Sequence, residues 1–193
     1  MTITYCIGKS LYVNITNRCS NDCKFCIRGY GDSVGGAESL WLEREPSREE
    51  ILADIKNHDL TGYDEIVFCG YGEPCERLDD LLWVCKELKK SNAPIIRVNT
   101  NGHASLLAGY AAAPLFESLV DKISISLNAA SAGEYDELCK PIFGEQAYEG
   151  VIDFATSVKK YVPDVTLSIV GGTTNQQACQ VIAEKLGFPL RVR

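Results

Sequence analysis

Short runs in which apolar and polar residues alternate recur along this chain. Leu11, Val13 and Ile15 alternate with Tyr12, Asn14 and Thr16, and Ile96, Val98 and Thr100 with Arg97, Asn99 and Asn101. Ile123, Ile125 and Leu127 alternate with Ser124, Ser126 and Asn128, and Val165, Leu167 and Ile169 with Thr166 and Ser168. A period of two is the mark of a strand with two different faces. The pattern predicts strands over Leu11 to Thr16, Glu65 to Cys69, Ile95 to Thr100, Lys122 to Leu127, Val165 to Val170 and Leu190 to Arg193, with Thr2 to Ile7 as an extra strand turning back through Gly8-Lys9-Ser10. Helical segments separate them. Ser47 and Glu50 form a capping box behind Pro46 and open a helix to about Asp59. Leu81, Leu82, Val84, Cys85 and Leu88 form an apolar stripe at helical spacing. An alanine-rich helix is expected after Gly102, another from Gln146 to Tyr161, and a last one from Thr174 to Leu186, stopped by Gly187 and Pro189.

Strands alternating with helices imply parallel βα units with right-handed crossovers. Six such units fall short of a closed eight-stranded barrel of about 250 residues. The expected fold is therefore α/β, a partial, open βα barrel of about six parallel strands with an N-terminal hairpin strand, forming one domain over residues 1–193. Because the helices must cover the apolar faces, the hydroxyls and amides of four strands point into the lumen. Buried without partners they would be costly, so the lumen is expected to hold a polar ligand; water or internal hydrogen bonding is the alternative.

Composition narrows the setting. The chain is 46% hydrophobic and 23% charged, which is ordinary for a folded domain. A net charge of -7 argues against a surface for duplex nucleic acid. The N-terminus has no basic segment followed by an apolar stretch, and no run is long enough to span a bilayer, so a cytoplasmic protein without a membrane partner is expected. Nine cysteines in a reducing compartment then point to metal or redox use rather than disulfides.

Three of the nine, Cys19, Cys23 and Cys26, stand at the spacing CxxxCxxC in NRCSNDCKFC, directly after the first barrel strand. Three thiolates from one loop can hold three irons of a [4Fe-4S] cluster and leave the fourth iron open. Zinc is the alternative; a closed zinc site needs a fourth ligand, which Cys69 or Cys75 could supply. Other landmarks follow in order: FCGYGEP at Phe68 to Pro74, NTNG at Asn99 to Gly102 and SLNA at Ser126 to Ala129, all at predicted strand ends.

This set resembles the radical SAM superfamily, with Phe25 as the aromatic residue before the third cysteine and GYGEP similar to its GGEP motif, Tyr71 standing where a glycine is usual. The resemblance implies a [4Fe-4S] cluster on Cys19, Cys23 and Cys26 and S-adenosylmethionine on Gly70, Tyr71, Gly72, Glu73, Asn99, Asn101, Ser126 and Asn128. It implies reductive cleavage to methionine and a 5′-deoxyadenosyl radical that takes hydrogen from a substrate, small molecule or protein, with a flavodoxin or ferredoxin-type reductant. More narrowly, NITNRC, CIRG, SLWLEREPS, FCGYGEP and ELCKP resemble the TatD family nuclease-associated radical SAM proteins, which implies association with a TatD-type nuclease. A non-catalytic zinc or iron-sulfur module partnering a nuclease is the alternative function.

Other residues carry weaker expectations. Arg191 and Arg193 alternate with Leu190 and Val192 and are expected to face inward, joined by Arg97, with Arg97 and Arg191 as anchors for a substrate carboxylate or phosphate; terminal or ion-paired arginines are the alternative, above all for Arg193. The connection from Ile27 to Glu45, with Gly29, Gly31, Gly35, Gly36 and Trp41, is expected to close over S-adenosylmethionine, a disordered surface loop being the alternative. Cys69, Cys75 and Cys139 are either hydrogen-atom donors or buried thiols, whereas Cys6, Cys85 and Cys179 read as packing residues. No individual catalytic residue is assigned.

Overall fold

The structure, a computed structural model, describes every residue except Asp32, Ser33, Gly35, Ala37, Glu38 and Asn92. Strands β1 (Thr4–Ile7), β2 (Ser10–Val13), β3 (Glu65–Phe68), β4 (Ile95–Thr100), β5 (Lys122–Ser126), β6 (Asp164–Ile169) and β7 (Leu190–Val192) form one sheet in the order of the chain. The pair β1–β2 is antiparallel and every later pair is parallel, as expected for a hairpin joined to an open barrel. The register makes the alternation visible. Val13, Phe68, Val98, Ile123 and Val165 lie opposite one another in a continuous apolar row. One residue earlier, Tyr12, Val67, Arg97, Lys122 and Asp164 form a second row on the other face.

The apolar face packs beneath helices α1 (Arg48–Lys56), α2 (Leu78–Lys89), α3 (Ala104–Ala108), α4 (Ala132–Cys139), α5 (Gln146–Val158) and α6 (Gln176–Leu186). Ile51, Ile55, Leu81, Val84, Leu88, Val151, Phe154 and Val158 meet the strand residues in one core. The capping box is formed in full, with Ser47 Oγ accepting from Glu50 N–H and Glu50 accepting from Ser47 N–H. On the lumen side Tyr5, Leu40 and Tyr71 pack with Tyr12 in a smaller cluster that fills the barrel beside the hairpin. No helix among the described residues is long and apolar enough to cross a membrane.

Several boundaries differ from expectation. Helix α1 ends at Lys56 because Asp59 caps the next turn, accepting from Thr61 N–H. The alanine-rich helix α3 is a short Ala104–Ala108, closed by Gly109 at φ +75°. Helix α5 ends at Val158 rather than Tyr161, and α6 begins at Gln176, where Asn175 caps Ala178 N–H. Helix α4 was not expected at all, since AGEYDELC offers only a short, weakly patterned run. Cys6 is exposed with its thiol against Tyr63 Oη, so it is no packing residue, whereas Cys85 and Cys179 are buried as expected.

Candidate functional site

The C-terminal ends of β2 to β5 meet at one mouth of the half barrel, and the cysteine loop crosses it. Asp22 N–H donates to Cys139 O and Lys24 N–H to Leu138 O, each at 2.9 Å. Ile142 N–H donates to Ser20 O, also at 2.9 Å, while Asn21 bridges to Pro141. The unexpected helix α4 and the ELCKP turn after it, with Lys140 left-handed at φ 44°, thus grip the loop between its first and third cysteines.

A buried polar chain holds the same loop from below. The Glu73 carboxylate accepts from Cys75 N–H (3.0 Å), Thr100 Oγ1–H (2.7 Å) and Asn101 N–H (2.6 Å). The Asn101 amide donates to Ser20 Oγ at 2.8 Å, and Ser20 Oγ meets His103 Nδ1 at 3.0 Å. His103 Nε2 lies 3.2 Å from Tyr135 Oη, which accepts from the Asn21 amide at 3.0 Å. Burial raises the Glu73 pKa despite its three donors and depresses that of His103 to about 4. This chain works through dipoles and one uncompensated carboxylate, with no cation inside it.

The three cysteines are all free thiols. Burial, aided by Glu73, pushes Cys19 up to about 12, and the Cys139 thiol together with burial holds Cys23 protonated. Such thiols release protons when they bind metal. Cys23, Cys26, Arg28, Tyr30 and Trp41 line a cavity of about 600 Å³. Among the described residues no three Cys, His, Asp or Glu side chains converge as a single metal ion requires; a cubane spreads its ligands over separate corners. Cys69 is partly exposed with its thiol pKa raised by burial, and Cys75 is buried 3.5 Å from Thr100 Oγ1.

The GYGEP segment explains its own departure from GGEP. A Cβ on Gly70 would stand 2.0 Å from Asn14 Oδ1, and one on Gly72 would stand 2.2 Å from Thr16 O, so both flanking positions demand glycine. The middle position points away. Tyr71 turns its ring into the cluster with Tyr5 and Leu40, its Oη donates to Gly31 O, and Trp41 meets it edge-on at 5.1 Å. Asn14, which the sequence reading passed over as one lumen residue among many, ties these pieces together. Its Oδ1 accepts from Tyr71 N–H, and its amide donates to Leu40 O at 2.7 Å. The connection from Ile27 to Glu45 is therefore pinned at its described flanks; Gly35 lies outside the described residues.

Among the described residues three buried acceptors at the mouth lack partners: Asn21 Oδ1 on the cysteine loop and two at the strand ends. Asn99 Oδ1 and Asn128 Oδ1 are buried without a partner, the latter on a residue held at φ 57° with its amide 3.8 Å from Cys139 Sγ. Ser126 Oγ accepts from Arg193 at 3.1 Å. The arginines take separate places. Arg97 pairs with Glu65 at 2.9 Å and, with Arg191, lines a cavity of about 180 Å³ together with Lys122 and Asp164, the first residues of β5 and β6. Arg97 thus meets a carboxylate on the neighbouring strand, and its charge also acts on the Cys69 thiol at the end of β3. Arg193 faces inward as the alternation predicts and reaches Ser126.

The family model of the radical SAM superfamily matches residues 13–186. The chain belongs to the radical SAM superfamily. That superfamily uses a [4Fe-4S] cluster and S-adenosylmethionine. Two curated relatives are similar over most of this chain: a GTP 3',8-cyclase of Lactiplantibacillus plantarum, 27% identical over 82% of this chain and 44% of its own length, and a probable GTP 3',8-cyclase of Methanocella arvoryzae, 28% identical over 94% and 54%. The chain thus spans about half the length of the curated relatives it matches. The radical SAM fold is shared with Streptococcus suis SuiB bound to its precursor peptide SuiA, at a TM-score of 0.66 and 15% identity over 96% of this chain and 39% of that one.

Proposed function

We propose that this chain is a radical SAM enzyme that holds a [4Fe-4S] cluster on Cys19, Cys23 and Cys26 and binds S-adenosylmethionine between that loop and the ends of β3 to β5. The observation that carries the reading is the cysteine loop gripped by Leu138, Cys139 and Pro141 on one side and by Asn101 through Ser20 on the other, at strand ends where Asn99 and Asn128 keep unpartnered acceptors. When bound, the cluster supplies the electron that breaks the sulfur to C5′ bond of S-adenosylmethionine and so makes a hydrogen-abstracting radical available.

The residues divide the remaining work. Gly70 and Gly72 let the main chain of the GYGEP segment come close to Asn14 and Thr16, and the carbonyls of these two glycines serve the cofactor's amino group. Tyr71 contributes its backbone only. Glu73 acts as a brace: both carboxylate oxygens are occupied, its N–H donates to Arg18 O and its carbonyl accepts from Glu76 N–H. Asn99 and Asn128 bring the unpartnered acceptors that cofactor hydroxyls or the amino group would satisfy, and Ser126 is shared with Arg193. Asn101 holds the loop through Ser20.

Anaerobic reconstitution should give a brown protein with about four irons and matching sulfide, and 5′-deoxyadenosine should form on reduction with S-adenosylmethionine. Alanine at Cys19, Cys23 or Cys26 should abolish both. One tightly bound zinc and no cleavage would instead favour a binding module that partners a nuclease. The relatives' name makes a purine nucleoside triphosphate the first substrate to try; GTP should accelerate 5′-deoxyadenosine formation, and equal rates with and without it would remove that reading. A flavodoxin or ferredoxin-type donor and a TatD-type nuclease partner belong to the same proposal, the latter tested by co-purification at matched expression.

A further inference from the structure

Arg28 stands two positions after the third cysteine and occupies the wall of the same cavity. Its Nε–H donates to Cys26 Sγ at 3.3 Å, and its Nη1 donates to Asn17 O at 3.3 Å. Its guanidinium carbon lies 5.8 Å from the centroid of the Trp41 ring, whose electron-rich face attracts a cation. Trp41 is itself fixed against Tyr71. Among the described residues Arg18, Arg44, Arg48, Arg77 and Arg97 each meet a carboxylate, whereas Arg28 meets a thiol, a carbonyl and an aromatic face. A permanent cation in a chain of net charge -7 has thus been placed on a cysteine sulfur.

We infer that Arg28 sets the reduction potential of the cluster through the Cys26 sulfur. The inference rests on the cluster reading given above. The step concerned is one electron taken up by the cluster from an external low-potential one-electron donor, with no bond made or broken. Reduction adds negative charge to the iron and its thiolates. A hydrogen bond to a ligating sulfur and a positive charge beside it both favour the more negative form, so they raise the potential. The contact between Arg28 and Cys26 is part-buried, which weakens solvent screening. Arg28 makes the cluster easier to reduce, and Trp41 keeps the guanidinium in place.

The test uses the reconstituted protein without S-adenosylmethionine, so that turnover plays no part. Wild type, Arg28→Lys, Arg28→Gln and Trp41→Leu are assayed for iron and sulfide, and their midpoint potentials are read by titration followed by electron paramagnetic resonance. The midpoint should become more negative from wild type to lysine to glutamine, with Trp41→Leu moving a smaller distance in the same direction. An Arg28→Gln protein with a full cluster and the wild-type midpoint overturns the inference. So does failure of both Arg28 variants to load iron while the wild type loads, since Arg28 would then be a strut for the loop through Asn17. If the wild type itself takes up no cluster, the cluster reading fails first, and that outcome is separately recognisable.

Discussion

Polar side chains fill both ends of this half barrel, but they are satisfied in opposite ways. At the starts of the strands, charge meets charge: Arg97 with Glu65 at 2.9 Å and Lys122 with Asp164 at 3.7 Å, around a cavity of about 180 Å³. At the strand ends a single buried carboxylate, Glu73, is met by N–H and O–H groups, and the chain runs on through Asn101, Ser20, His103 and Tyr135 to Asn21. An ion pair closes locally and ties two residues. A dipolar chain fixes several separate segments in one geometry, and any break leaves a buried group unpaired. The upper end also keeps spare acceptors on Asn99 and Asn128. The lower end therefore reads as a set of local ion pairs around a small cavity and the upper end as a mouth whose spare acceptors suit a polar ligand.

The largest blow to the upper end should come from Gly72→Ala. The new Cβ would meet Thr16 O and Arg18 O, both backbone atoms that cannot swing aside. We expect a loss of about 3 kcal/mol of stability, measured by denaturant unfolding of the metal-free protein under reducing conditions. Gly29→Ala, which meets nothing within 4 Å, should stay within about 0.5 kcal/mol. Equal effects at the two glycines would mean the motif is not held as described.

Acid should break the upper end through His103. Its pKa is depressed from 6.5 to about 4 by burial, so the unfolded chain binds the proton more readily. Its contribution is fully present above pH 6.5 and is lost as pH falls from there towards 4, by up to about 3 kcal/mol. Glu73, with its pKa raised, acts in the opposite sense, which is why the comparison needs a variant: His103→Gln should flatten the slope over that window. An unchanged slope would remove His103 as the acid-sensitive link.

Glu73→Gln comes next. The amide turns a donor towards groups that are themselves donors, and leaving one of Cys75 N–H, Thr100 Oγ1–H or Asn101 N–H unmet should cost about 2 kcal/mol. Because Asn101 also holds Ser20, iron loading should fall with stability. Full iron content in a clearly destabilised variant would separate the brace from the cysteine loop.

Much of this division was legible in the sequence, and the part that was not has a common cause. Alternation along β4 and β5 placed the amides and hydroxyls on the lumen face because period two is a local property of the strand. The spacing of Cys19, Cys23 and Cys26 is local as well, and so is the capping box at Ser47. Helix α4 escaped because the partners of its own buried residues are distant in sequence: Tyr135 meets Asn21 and His103. His103 looked like a lone histidine, and only the fold brings Ser20 and Tyr135 to its two nitrogens. The signal that could have found Arg28 was present in CIRG, two residues beyond the last cysteine. For Arg97 the inward direction could be read from the alternation, but its partner Glu65 could not, because it lies on the neighbouring strand.

The smallest effect should be at the lower end, and it is the sharpest test of the comparison. The Arg97 and Glu65 side chains are 13% and 19% exposed, so their pair is partly screened, and Arg97 Nε already lacks a partner. Glu65→Gln should cost about 1 kcal/mol. Arg97→Met with Glu65→Leu should recover most of that, because replacing both members removes the uncompensated charge. Neither change should alter iron content or S-adenosylmethionine affinity, measured by calorimetry on the reconstituted protein. If the double variant folds and loads iron but loses affinity for the cofactor or an identified substrate, the lower end is part of the binding site after all, and Arg97 returns as an anchor.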